Sequence, residues 1–156
     1  MSVPIIIDEW LFHDLWGDNG SGKQHETFTF LNKLVEICDR IVVLSNSPFE
    51  VKTMELIKKS ENDPIIRGMS QFFNSSILKN SNKTELVDVN SLPPLTGHLS
   101  KIPKEDQYLF QAYLKLKNKG GFILTADGRW DFRIIKKASI AIQMRDDFLK
   151  KYIKRS

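Results

Sequence analysis

Asp8, Asp106 and Asp127 are the side chains whose type and placement first suggest chemistry. Asp8 ends the apolar, β-branched run at residues 3–7, and Asp127 ends the run Phe122-Ile123-Leu124-Thr125-Ala126. Each therefore stands where a buried strand leaves its sheet. Asp106 falls in the first turn of the helical stretch 103–116, which leads directly into the Phe122 strand. Crevices in parallel α/β sheets lie beyond the carboxyl ends of the strands. Three acids placed this way converge on one crevice. Crowded carboxylates repel unless a cation sits among them, and an all-oxygen donor set selects Mg²⁺ or Mn²⁺.

The elements that would carry these acids alternate along the chain. Residues 3–7 read as a strand, 27–38 as a helix with Phe28, Leu31, Leu34 and Val35 at helical spacing, and 40–44 as a second buried strand. Ser47-Pro48 supplies an N-cap and a first-turn proline for a helix to about Lys59, and Asp63-Pro64 opens another to about Leu78. Residues 79–101, with Pro93-Pro94, Gly97 and many polar side chains, read as an irregular connector. A helix over 103–116, stopped by Gly120-Gly121, then strands at 122–125 and 138–143 and a closing basic helix at 146–153 complete the pass. Strands separated by helices predict a single α/β domain over residues 1–156. Its architecture is a three-layer α/β/α sandwich with a mainly parallel central sheet and right-handed crossovers.

Composition narrows the setting. The 156 residues with 41% apolar content suffice for one core. Runs such as Ile41-Val42-Val43-Leu44 fall far short of the roughly 20 apolar residues of a membrane span. No basic segment followed by a long apolar stretch stands near Met1, so a soluble, cytoplasmic protein with no membrane partner is expected. Cys38 is the sole cysteine, which excludes an internal disulfide and a thiolate zinc cluster. A net charge of +4 favours a polyanionic partner.

Taken with the stretch Pro103-Lys104-Glu105-Asp106-Gln107, the strand end Leu124-Thr125-Ala126-Asp127 and the C-terminal Asp146-Asp147-Phe148-Leu149, the chain resembles the PIN-domain family along nearly its whole length. The resemblance implies a metal-dependent endoribonuclease that hydrolyses RNA phosphodiester bonds, with Asp8, Asp106 and Asp127 as catalytic ligands of Mg²⁺ or Mn²⁺. The family's further acid lies in the helix after the second strand, where Glu50 and Glu55 both compete and Glu50 fits the spacing better. Asp131 would be another ligand or hold a water, and Thr125 would orient a carboxylate or meet substrate. Lys23, Lys104 and Arg129, with Arg133, Lys136 and Lys137, would hold flanking phosphates. Many small members are toxins, which implies an antitoxin protein as partner, and many dimerise. Where many members carry a small polar residue and then Asn, this chain has Glu9 and Trp10. The alternative from another class is a catalytically silent PIN-like module that binds RNA or a partner protein.

Several other features point elsewhere and carry less. Gly17-Asp18-Asn19-Gly20-Ser21-Gly22-Lys23-Gln24 has phosphate-loop spacing, but Gln24 replaces the magnesium-binding Ser or Thr and the preceding strand ends too early. A mobile glycine-rich loop near the site mouth is expected instead. His13, His25 and His98 have no common-face metal spacing and read as surface residues. Trp10, Trp16 and Trp130 fall near the crevice, where stacking on a base competes with core packing, the latter favoured for Trp10.

Overall fold

A computed structural model describes residues 2–130 and 132–155. Five parallel strands, β1 (Pro4–Ile7), β2 (Arg40–Ser45), β3 (Thr84–Asp88), β4 (Phe122–Thr125) and β5 (Ile142–Met144), form one sheet in the order β3-β2-β1-β4-β5. From β1 the chain first builds outward through β2 to β3, then returns to β1's other edge with β4 and continues to β5. The direction reverses between β1 and β4, whose register pairs Ile5 with Phe122 and Ile7 with Leu124. Right-handed crossovers running in opposite directions put their helices on opposite faces of the sheet. Accordingly α1 (Trp10–Trp16), α2 (Ser21–Glu36), α3 (Pro48–Lys59) and α4 (Pro64–Phe72) pack with one another on one face. On the other face α5 (Gln107–Leu116) lies against β1 and β4, with α6 (Phe132–Lys137) following β4. The last helix, α7 (Arg145–Tyr152), returns to α2. This is the expected three-layer α/β/α arrangement, with a sheet that is wholly parallel.

Ile5, Ile6 and Ile7 are all fully buried, because helices cover both faces of β1. Around them Leu11, Phe12, Leu15, Phe30, Phe110 and Leu124 complete a core without exposed area. Charged side chains are buried beside it as well, Asp14, Asp39, Lys83 and Arg145 among them. Arg145, 2% exposed, donates from Nε to Asp14 at 2.7 Å and from Nη1 to Glu26 at 2.7 Å and Asp146 at 2.6 Å, while its guanidinium lies 5.4 Å from the Trp10 ring centroid. These bonds tie α1, α2 and α7 together.

The structure corrects several sequence expectations. The glycine-rich stretch 17–24 is a short turn followed by helix rather than a loop throughout: α1 ends at Gly17, whose φ of +86° favours glycine, and Gly20 at φ +95° precedes the start of α2. The second helix thus begins at Ser21, six residues ahead of its apolar stripe. Residues 79–101 contain β3, an edge strand paired on one side only. The helix expected from Pro103 starts with a 3₁₀ turn at Lys104–Asp106, so Asp106 is the residue preceding α5 rather than part of its first turn. The expected helix to Leu78 changes to a π turn after Phe72.

Candidate active site

The C-terminal ends of β1 and β4 meet at the point where strand order reverses, the position at which α/β sheets open a crevice. A cavity of about 570 Å³ lies there, lined by the carboxylates Asp8, Glu9, Glu105, Asp106 and Asp127 with Trp10, His13, Asn19 and Arg129. A second lobe of about 400 Å³ shares Glu105, Asp106, Asp127 and Arg129 and extends to Pro103 and Trp130. Asp8, Asp106 and Asp127 therefore arrive at one cavity from β1, the turn before α5 and β4.

Each of the three is held by a different donor. Thr125, fully buried at the end of β4, donates from Oγ1 to Asp8 Oδ2 at 2.6 Å and accepts the Asp127 backbone N–H at 3.0 Å. One hydroxyl thus links both strand ends. Trp130 Nε1 donates to Asp106 Oδ2 at 3.1 Å, and Arg129 clamps Asp127 through Nε to Oδ1 and Nη2 to Oδ2, both at 3.1 Å. Trp10 fixes the entrance of α1 by donating from Nε1 to Leu124 O at 2.9 Å.

The electrostatics separate the acids. Burial pushes the Asp8 carboxyl above the ordinary aspartate range, with smaller upward contributions from Asp106 and Glu9. Asp106 is likewise raised, first by burial and then by Glu105, Asp127 and Glu9. Asp127 is held low by its hydrogen bonds to Arg129. Asp106 raises Asp8, and Asp127 raises Asp106, so like charge links the three acids in series.

No family model, curated protein or solved structure matches the chain. The site must therefore be judged on its own chemistry. Among the described residues no three His, Cys, Asp or Glu side chains are grouped closely enough to hold one metal ion. The donor set nevertheless suits a hard cation. Its oxygens are carboxylate, and two of the acids are raised above their ordinary range by burial and like charge, a penalty that a divalent ion would relieve.

Other residues expected at the site are distributed differently. Glu50 is not at this cavity: it accepts the Asn46 backbone N–H at 2.7 Å and lines a separate depression with Asn46, Ser47 and Met54. Asn46 at φ +59° turns the chain between β2 and α3, and Glu50 closes that turn. Glu55 faces Lys52 at 3.5 Å. Asp131 lies outside the described residues. Thr125 is buried behind Asp8 rather than open to a substrate. Arg129 lines both lobes, Lys104 is exposed beside Glu105, and Lys23 is exposed on α2 away from the cavity lining.

Trp10, Trp16 and Trp130 are between 5% and 8% exposed, so none offers a free ring face for stacking. Glu9, Glu105 and His13 are the cavity residues that sequence reasoning did not assign. Adjacency to Asp8 and Asp106 was the available signal for the two glutamates. His13 follows Glu9 by four residues, one helical turn, with its Nε2 3.9 Å from Glu9 Oε2, and α1 carries it to the cavity. There its Nδ1 lies 3.0 Å from Asp18 Oδ2.

Proposed function

We propose that the chain is a metal-dependent endoribonuclease of PIN-domain type, hydrolysing RNA phosphodiester bonds with Mg²⁺ or Mn²⁺. The observation that carries this reading is the convergence of Asp8, Asp106 and Asp127 on one cavity at the β1/β4 reversal point. Asp8, Asp106 and Asp127 would be the ligands, drawn in by the ion from a wider metal-free spacing, with Glu9 and Glu105 at the margin; Glu50 does not line the cavity and stands outside this set. A divalent cation held there would supply charge to polarise a phosphoryl oxygen and to acidify water. The chain's own groups do the rest. Thr125 orients Asp8, Trp130 orients Asp106, and the exposed cations Arg129 and Lys104 at the rim hold phosphates without reading sequence. Lys136 and Lys137 stand in the last turn of α6 and line neither lobe.

The second reading, a silent module that binds RNA or a partner protein, draws on the Arg129 clamp over Asp127 and on the absence of a grouped donor triplet among the described residues. Incubation of purified protein with varied single-stranded RNAs separates the two. The nuclease reading expects internal cuts with Mg²⁺ or Mn²⁺, none with EDTA, and a loss of at least about a hundredfold in folded Asp106→Asn protein, the scale at which displaced catalytic groups act. Cutting that survives EDTA or Asp106→Asn overturns the metal mechanism. Metal binding with no cleavage of any RNA supports the silent module. A toxin role with an antitoxin partner is proposed on the family resemblance alone, and an adjacent antitoxin reading frame would support it.

A further inference from the structure

We infer that Arg129 is an exchangeable counter-ion, which occupies the Asp127 carboxylate until a divalent cation takes it and then turns its guanidinium to the RNA phosphate. This rests on the metal-nuclease reading and deepens it. The geometry begins with an asymmetry among the three acids. Thr125 and Trp130, the donors to Asp8 and Asp106, are neutral and buried at 0% and 7% exposure. The donor to Asp127 is a cation whose side chain is 90% exposed, against 17% for its partner. At that exposure the Arg129 side chain is held by its bonds to Asp127 rather than by burial.

Its fork covers both carboxylate oxygens of Asp127, and its backbone N–H takes Oδ1 again at 2.8 Å. A metal ligand needs those oxygen lone pairs, so the fork and a cation compete for the same atoms. An ion pair this exposed contributes little stability and yields readily to a divalent charge. The backbone bond at 2.8 Å remains when the side chain leaves, keeping the carboxylate aimed.

Arg129 starts only two residues from Asp127 and lines both lobes of the cavity, so a released guanidinium stays at the mouth through which RNA approaches. A planar fork that fits a carboxylate with two parallel bonds fits a phosphate the same way. Before metal arrives, the fork neutralises an acid that would repel RNA. After metal arrives, the same group becomes a phosphate ligand. Metal and RNA binding are then positively coupled through one side chain, and the coupling is reciprocal.

The test compares wild type, Arg129→Gln and Asp127→Asn, first by calorimetric titration with Mn²⁺. Next, fluorescence anisotropy with a labelled single-stranded oligoribonucleotide is run in saturating Ca²⁺ and, separately, in EDTA. Because Arg129 is exposed, Arg129→Gln should fold, which its melting curve checks. The expected pattern has opposite signs: Arg129→Gln binds Mn²⁺ about two- to fivefold more tightly, since a competitor is gone. It also binds RNA roughly tenfold more weakly in Ca²⁺, the loss of a charge-assisted pair. In EDTA, where Arg129 serves only to offset the Asp127 charge, the RNA defect is clearly smaller than in Ca²⁺. Unchanged or weaker Mn²⁺ binding in Arg129→Gln overturns the exchange, as does an equal RNA defect with and without Ca²⁺. If Asp127→Asn binds Mn²⁺ as wild type does, the metal reading itself fails, and that outcome is distinct from failure of the exchange.

Discussion

At the scale of single residues, the Thr125 hydroxyl links the two strand ends that bear acids. It gives its proton to Asp8 and accepts the Asp127 N–H. Thr125→Val keeps the shape but leaves a buried N–H and a carboxylate without their partner, so a loss of about 1–3 kcal/mol is expected in denaturant unfolding. Asp8 behaves in the opposite sense. Burial raises its folded pKa, so the folded state binds its proton more tightly than the unfolded chain. The stability that Asp8 contributes is then present at acid pH and lost as pH rises through the folded value. Metal-free Asp8→Asn should therefore melt higher than wild type at pH 7, and the gap should narrow as pH falls toward the ordinary carboxyl range. Paired melting curves across pH check this, with each kcal/mol appearing as about 2–4 °C.

At the scale of elements, the sequence showed β1, β2 and β4 because strands buried on both faces read as unbroken apolar runs. It concealed β3, whose Thr84-Glu85-Leu86-Val87-Asp88 mixes polar and apolar residues, with Leu86 76% exposed at the sheet edge. The aspartates that end strands were legible for the same reason as the strands themselves. Glu50 was placed at the site by spacing along the chain, but spacing does not give the direction in which a helix's first turn faces, and the Asn46 turn draws Glu50 to its own backbone. Glu50→Gln should accordingly leave Mn²⁺ affinity within about twofold of wild type, since it retains an acceptor for the cap and lines neither lobe of the cavity. Arg145 shows the converse. No local pattern marks it, yet it joins Asp14, Glu26 and Asp146 at the junction of three helices. Arg145→Ala strands the buried Asp14 and should cost about 3–5 kcal/mol in unfolding measurements.

At the scale of the whole molecule, reversal of strand order between β1 and β4 brings residues 8, 106 and 127 to one opening. The fold supplies placement, and five carboxylates at one cavity supply a need for positive charge. A chain of net charge +4 that gathers acids in one crevice leaves its remaining surface the more basic, as a binder of polyanions requires. In the proposed nuclease Asp8 and Asp127 serve one metal centre. Calorimetric titration of Mn²⁺ into wild type and into Asp8→Asn/Asp127→Asn protein, both shown to be folded by their melting transitions, tests it. Saturable binding in the wild type that disappears in the double variant is the predicted result, and binding of equal affinity and stoichiometry in both proteins would contradict it.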